Sequence, residues 1–200
     1  MYDKVFAPIE APLTDAAVDL LDPQPGEQIL EIGPGTGRAL ARIAICAGPG
    51  GSVLGVDLSA RMLAISAHRL ASLAGPSSAR LARGDTRALP LGCAAFDAVF
   101  MSFALELFDP QGGKQVLAEC SRVMRGSGRL VVVSLWRADQ PNLAVRAYEI
   151  GHRMFPAVLD CRPIDLEGML RNAGFGVRRS AAFSLFGIPV RIVVGSPPEA

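Results

Sequence analysis

Apolar and polar positions follow two alternating patterns along the chain. Five short runs are rich in apolar residues and predict strands, at residues 28–32, 52–57, 79–83, 96–101 and 129–135. Between them, apolar residues recur at helical spacing, at residues 13–21, 37–47, 59–73, 116–124 and 165–172. Two further apolar runs, 177–183 and 188–194, flank Gly187 and predict a hairpin.

This order of elements predicts the fold. Strands that alternate with helices favour a parallel sheet covered by helices on both faces. With the hairpin, the prediction is an α/β fold with a Rossmann-like, seven-stranded, mostly parallel sheet and a C-terminal antiparallel hairpin. We expect one domain over residues 1–200, with an N-terminal helical lid at 1–25 and a helical insertion near the substrate pocket at 137–163. Residues 126–128 predict a tight turn before the fifth strand.

Composition and charge bear on the possible partners and location of the protein. The 200 residues are 50% apolar and 20% charged, with a formal net charge of +1, so no electrostatic argument favours nucleic acid as a partner. No apolar run is long enough to span a membrane, and no basic-then-apolar signal segment opens the chain. We therefore expect a cytoplasmic protein that is a monomer or a homodimer.

Cysteine and histidine give no sign of a metal site. The two histidines are isolated, and the four cysteines lie far apart without a C-x-x-C pair: Cys46, Cys93, Cys120 and Cys161. Neither a zinc site nor a disulfide framework is predicted from such spacing.

A glycine-rich loop follows the first predicted strand, in the segment Glu31-Ile32-Gly33-Pro34-Gly35-Thr36-Gly37. A strand, a glycine loop and a helix place backbone amides at the carboxyl edge of a parallel sheet, where ligands bind in open α/β folds. Asp57 ends the second predicted strand, and a carboxylate there can accept both hydroxyls of a ribose.

Two cofactors fit this layout, a nicotinamide dinucleotide and S-adenosylmethionine. In the dinucleotide fingerprint G-x-G-x-x-G/A the last position is small, but here the third glycine comes early and Arg38 follows it. Pro34 lies inside the loop, and Glu31 suits a cationic amino group better than a pyrophosphate. S-adenosylmethionine is therefore favoured. An NAD(P)-dependent oxidoreductase and a non-catalytic S-adenosylmethionine-binding protein remain as alternatives.

The sequence resembles the class I S-adenosylmethionine-dependent methyltransferases, and most closely their ubiquinone/menaquinone-type group. Five segments follow one another in the family's order, at residues 29–37, 53–63, 84–90, 96–100 and 117–135. Five ordered segments are more specific than one glycine loop. The resemblance implies methyl transfer by in-line displacement, with S-adenosylhomocysteine as the product.

The resemblance also implies roles for individual residues. Glu31 and the loop backbone would hold the methionine part of the cofactor, Asp57 the ribose, and Asp85 the adenine amino group. Residues 101 and 102 would flank the sulfonium, and an N-terminal tyrosine would close over the cofactor. The full predicted set is Glu31, Gly33, Pro34, Gly35, Thr36, Gly37, Asp57, Leu58, Met62, Asp85, Thr86, Met101, Ser102 and Tyr2.

Several of these residues also have a structural interpretation. Asp57 could start the helix that Ser59 caps, and Asp85 could form a turn. For Asp97, at the start of a strand, a structural role is the favoured prediction. Trp136 could belong to the core or to a pocket wall.

The methyl acceptor is predicted from the variable regions 102–108 and 136–163. Their aromatic and aliphatic residues suggest a small apolar acceptor, such as a quinol precursor or a lipid-like molecule reached at a membrane surface. Candidate contacts are Phe103, Glu106, Leu107, Trp136, His152 and Arg162, the last for an anionic group. Candidate bases are Glu106, Asp139, Tyr148 and His152, although no motif supports any of them.

Overall fold

The computed structural model describes residues 7–73, 79–137, 145 and 161–198. Its helices are α1 (Ala7–Leu21), α2 (Arg38–Ala47), α3 (Ala60–Ala71), α4 (Pro110–Val123) and α5 (Leu166–Asn172), with a 3-10 turn at Leu105–Leu107. Its strands are β1 (Gln28–Ile32), β2 (Ser52–Asp57), β3 (Ala79–Arg83), β4 (Phe96–Ser102), β5 (Met124–Leu135), β6 (Gly176–Leu185) and β7 (Ile188–Ser196).

The strands form one seven-stranded sheet in the order β3-β2-β1-β4-β5-β7-β6. The five strands from β3 to β5 pair in parallel, whereas β7 pairs antiparallel with both β5 and β6. The predicted α/β fold with a C-terminal antiparallel hairpin is therefore confirmed. In such a sheet the order of strands reverses beside β1, and ligands bind at the carboxyl ends of the strands there.

Helices cover both faces of the sheet, and each face has its own apolar core. Successive residues of a strand point to opposite faces. In β5, Val131 and Val133 accordingly pack with α1 and α2, whereas Leu130 and Val132 pack with α4 and α5. Strands buried on both faces explain the nearly continuous apolar runs in the sequence.

Helix α1 is longer than the sequence pattern predicted. The predicted start at residue 13 is wrong, because the helix begins at Ala7 and contains Pro12. Proline lacks the N–H that would complete the helical ladder, so its presence reads as a boundary. The added turns carry α1 over the carboxyl edge of the sheet, where Glu10 and Thr14 line a cavity.

Strand β5 also begins earlier than predicted. It starts at Met124, directly after α4, so residues 126–128 are part of the strand instead of a tight turn. The pairing with β4 jumps from Phe96–Met124 to Ala98–Arg129, which leaves extra residues on β5 as a bulge. A Cβ at Gly128 would lie 2.5 Å from Met124 Cγ, so the bulge needs glycine there.

The last elements agree with their predicted positions. Asp165 caps α5 by accepting a hydrogen bond from the Gly168 N–H at 3.0 Å. The β6–β7 hairpin turns through Phe186 and Gly187, both with positive φ, as tight hairpin turns require. Most of the predicted insertion at 137–163 lies outside the described residues. In the described part of the chain, no helix has the length and apolar composition to cross a membrane.

Candidate active site

A cavity of about 870 Å³ lies at the carboxyl ends of β1, β2 and β4. The loop after β1, the end of β2 and the segment after β3 form one end, and α1 and the turn after β4 form the other. Most of the predicted cofactor residues line it: Glu31, Gly33, Pro34, Gly35, Thr36, Asp57, Leu58, Met62, Asp85, Thr86 and Ser102.

The loop after β1 depends on glycine at two crowded positions. Gly33 has a φ of +66°, and a Cβ there would lie 2.9 Å from the Cβ of Ala104. Gly37 has a φ of +73°, and a Cβ there would lie 2.8 Å from the Oγ of Ser66. Both a left-handed backbone and a close neighbour therefore exclude larger residues.

Helix α3 holds this loop from outside the cavity. Ser66 Oγ donates a hydrogen bond to the carbonyl of Gly35 at 2.8 Å. Arg69 Nε donates to the carbonyl of Thr36 at 2.8 Å. Two successive carbonyl groups of the loop thus face α3.

Glu31 is the most unusual charged group of the cavity. Its side chain is only 2% exposed, and its Oε2 has no hydrogen-bond partner. Burial, and secondly the charge of Asp57, raise the pKa of Glu31 to about 8. A buried carboxylate without a partner is costly, so this position favours a ligand that brings a positive charge.

The end of β2 supplies a second acidic group. Asp57 Oδ1 accepts a hydrogen bond from the Ser59 N–H at 2.8 Å, and Ser59 Oγ accepts one from the Met62 N–H at 3.3 Å. Asp57 thus orders the turn between β2 and α3, and it also lines the cavity. Leu58 beside it is 63% exposed and offers an apolar surface.

Asp85, after β3, is held by Arg87, which no sequence motif marks. The Arg87 guanidinium contacts both carboxylate oxygens, with Nη2–Oδ2 at 2.7 Å, and the Arg87 N–H bonds Oδ1 at 3.0 Å. These bonds lower the pKa of Asp85 to about 2. Asp85 therefore makes the predicted turn and also lines the cavity.

The segment that follows Asp85 is fixed by α4. Glu119 accepts a hydrogen bond from the Leu89 N–H at 2.6 Å. Arg122 donates to the carbonyl groups of Leu89 and Leu91 at 2.9 and 2.7 Å. The 84–91 segment thus has a defined path along the cavity.

Asp97 has the structural role that the sequence favoured. It accepts a hydrogen bond from the Gln28 N–H at 2.8 Å and pairs with Arg125. It ties the starts of β1 and β4 together, and it is not among the residues that line the cavity.

Two predicted cofactor residues do not line the cavity. Met101 is fully buried in the core on the α4 side, because neighbouring residues of a strand face opposite ways and Ser102 takes the position toward the cavity. Gly37 lies at the start of α2 and contacts Ser66. Tyr2 lies outside the described residues.

Of the residues predicted to contact the acceptor, some line the cavity and others do not. Phe103 and Leu107 line the cavity, but Trp136 does not, since its ring stacks 3.9 Å from the guanidinium of Arg191. Arg162 is exposed and is not among the residues that line the cavity. The other candidates, His152, Asp139 and Tyr148, lie outside the described residues.

Glu106 is buried behind the cavity instead of in its wall. It is 1% exposed, and its Oε1 accepts a hydrogen bond from the Leu135 N–H at 3.2 Å. Its Oε2 has no hydrogen-bond partner. Burial, with a contribution from the charge of Glu10, raises the pKa of Glu106 to about 8.

The structure adds cavity residues that the sequence did not reveal. Glu10 and Thr14 on α1, together with Arg87 and Cys161, line it. The hydroxyl groups of Thr14 and Ser102 are 3.1 Å apart and join α1 to the end of β4. No local signal marks Glu10 and Thr14, because only the packing of α1 on the sheet brings them to the site.

Comparison with known proteins identifies the family. Residues 29–128, half of the chain, match the model of a family described as methyltransferase domain. The matched segment includes the glycine loop, Asp57 and the Asp85 segment.

Two curated relatives are methyltransferases by name. Nocamycin O-methyltransferase from Saccharothrix syringae is 32% identical over 80% of this chain and 55% of its own length. The ubiquinone/menaquinone biosynthesis C-methyltransferase from Teredinibacter turnerae is 26% identical over 79% of this chain and 70% of its own length. The chain spans about half the length of many of the curated relatives that it matches.

A solved structure of similar fold is a SAM-dependent methyltransferase from Methanosarcina mazei. The two superpose with a TM-score of 0.75 over 92% of this chain and 98% of the other, at 17% identity, which is evidence for the fold. The resemblance to class I S-adenosylmethionine-dependent methyltransferases is confirmed by the family match. The chain belongs to the methyltransferase domain family.

Proposed function

We propose that this protein transfers the methyl group of S-adenosylmethionine to a small apolar acceptor. The observation that carries the proposal is Glu31, a buried carboxyl with an unpartnered oxygen in the wall of the cavity. The α-ammonium of S-adenosylmethionine would give it a charged hydrogen-bond partner. A dinucleotide would bring a pyrophosphate to the loop instead, which the Glu31 carboxylate would repel.

The other polar groups suit the rest of the same cofactor. Asp57 uses one oxygen on the Ser59 N–H, and its carboxylate would accept the ribose hydroxyls. Asp85, held in orientation by Arg87, would accept the adenine amino group. Leu58 and Met62 would pack on the adenosine.

Methyl transfer requires the protein mainly to align the acceptor with the methyl group of the cofactor. When bound, S-adenosylmethionine supplies a methyl group on a sulfonium, a carbon already activated for displacement. The residues of this chain would hold the acceptor in line with that carbon and exclude water, which can lower the barrier by ~7–11 kcal/mol.

The acceptor end of the cavity supports an apolar acceptor. Phe103, Ala104, Leu107 and Phe108 line it, and Leu107 is 50% exposed there. The names of the two curated relatives mention different acceptor atoms, oxygen and carbon. We therefore define the acceptor of this chain by its apolar character.

We also propose that the carboxyl group of Glu10 contacts the proton of a hydroxyl or amine group on the acceptor. It lies one helical turn before Thr14, whose hydroxyl contacts Ser102 at the end of β4. Glu106 is not proposed to touch the acceptor, because it is buried behind the wall.

Calorimetry with S-adenosylmethionine, S-adenosylhomocysteine and NAD tests the cofactor. We expect both sulfur compounds to bind and NAD to show no binding. Glu31→Gln should weaken S-adenosylmethionine about 10- to 100-fold, the range of a charged hydrogen bond. Glu106→Gln is a matched control, since it is equally buried but lies outside the lining, and its affinity should equal that of the wild type. Binding of NAD without S-adenosylmethionine would contradict the proposal.

A further inference from the structure

We infer that α3 positions the glycine loop for the methionine part of the cofactor, with Ser66 and Arg69 as positioning residues. The inference rests on the proposed function, because it concerns the same cavity. Neither side chain lines the cavity, so each would act through the loop.

The hydrogen bonds fix the orientation of the loop peptides. Ser66 is fully buried and donates to the carbonyl of Gly35 at 2.8 Å. In a trans peptide unit the C=O and the following N–H point in opposite directions. The bond from Ser66 therefore turns the N–H of Thr36 away from α3, toward the side of the loop that lines the cavity.

The loop lies close against the helix at Gly37, where no room is left for a side chain. A Cβ at Gly37 would lie 2.8 Å from the Oγ and 3.0 Å from the Cα of Ser66. Arg69 adds a second hydrogen bond, to the carbonyl of Thr36 at 2.8 Å. The loop and α3 thus meet through one steric contact and two hydrogen bonds.

The same helix follows closely on Asp57, the residue proposed for the ribose, and carries Met62, which is proposed to pack on the adenosine. It begins directly after Asp57 and Leu58, is capped by Ser59, and places Met62 in the cavity wall. One helix is therefore linked to both the proposed ribose site and the proposed methionine site. Loss of the Ser66 bond should loosen only the methionine site.

A comparison of two ligands tests whether Ser66 and Arg69 affect the methionine site and leave the ribose site unchanged. S-adenosylhomocysteine contains the amino-acid part, whereas 5′-methylthioadenosine shares its adenosine and sulfur but lacks that part. For Ser66→Ala we expect calorimetry to show S-adenosylhomocysteine weakened about 5- to 30-fold, with 5′-methylthioadenosine within twofold of wild type. Arg69→Met should show the same selectivity with a smaller loss, because Arg69 is exposed and tolerates substitution.

Ser134→Ala is the matched control. Ser134 is also fully buried, and its Oγ bonds the carbonyl of Leu135 at 3.1 Å, but it lies outside the cavity lining. Both ligands should bind this variant as they bind wild type. Equal weakening of both ligands in Ser66→Ala and Arg69→Met, or no weakening of either, would overturn the inference. Failure of the wild-type protein to bind S-adenosylhomocysteine would instead overturn the proposed function.

Discussion

The two ends of the cavity are built differently. At the cofactor end, polar groups are held by specific bonds, such as Ser66 to the loop, Ser59 to Asp57 and Arg87 to Asp85. At the acceptor end, the lining is mostly apolar, and a Thr14–Ser102 contact joins α1 to the sheet. The first end is suited to one fixed ligand, whereas the second offers shape and apolar surface to a ligand that its contacts do not define.

The largest effect should come from a change that disturbs the cofactor end alone. Gly37→Ala would force a Cβ against Ser66 at 2.8 Å and strain a backbone with φ +73°. We expect S-adenosylhomocysteine affinity to fall about 100-fold or more in calorimetry, since strain and displacement of the loop together cost about 3 kcal/mol.

Gly48→Ala separates the effect of backbone strain from the effect of the contact with Ser66. Gly48 also has a positive φ, +65°, but a Cβ there would meet nothing within 4 Å. This variant should lose some thermal stability and keep its affinity. Equal affinities of Gly37→Ala and Gly48→Ala would show that the contact with Ser66 is unimportant.

The two buried glutamates should separate stability from binding. Glu31, in the cavity wall, and Glu106, buried behind it, have pKa values raised to about 8 from an ordinary 4.5. A carboxyl that releases its proton more easily in the unfolded chain destabilises the fold progressively as pH rises from about 4.5 to 8. Glu31→Gln and Glu106→Gln should therefore each raise the melting temperature at pH 8, by about 2–4 °C for each kcal/mol gained in a domain of this size, and have a smaller effect at pH 4.

Only one of the two substitutions should weaken cofactor binding. If Glu31 receives the ammonium group, Glu31→Gln is more stable but binds S-adenosylmethionine poorly, whereas Glu106→Gln is more stable and binds normally. A melting temperature that falls at pH 8 in both variants would contradict the raised pKa values.

The smallest effect should be confined to the acceptor end. Leu107 is half exposed in the cavity wall, and Leu107→Ala removes apolar surface there. Methyl transfer to an apolar acceptor should fall about 3- to 10-fold, because the acceptor buries less apolar area against the shortened side chain. The affinity for S-adenosylmethionine should stay within twofold. Ile45→Ala is a control, because Ile45 is 67% exposed and lies away from the cavity. If Leu107→Ala lowered cofactor affinity more than methyl transfer, Leu107 would belong to the cofactor end, and its assignment to the acceptor end would be wrong.

The same contrast explains what the sequence could predict. The loop residues follow β1 directly and Asp57 ends β2, so a local pattern places them at one sheet edge. Glu10 and Cys161 reach the cavity only through tertiary packing, and no local spacing reveals that. The family resemblance implies a place for Met101 beside the sulfonium, but the alternation of a strand sends its side chain to the core.

Labelled methyl transfer tests the central claim most directly. The protein is incubated with S-adenosylmethionine that carries a deuterated methyl group and with an organic-solvent extract of cells, and the products are followed by mass spectrometry. We predict that wild-type protein places the label in apolar small molecules, and that Asp57→Ala, which removes the proposed ribose contact, does so far less. Label found only in polar amines or nucleic acids, or cofactor binding without any labelled product, would contradict the account.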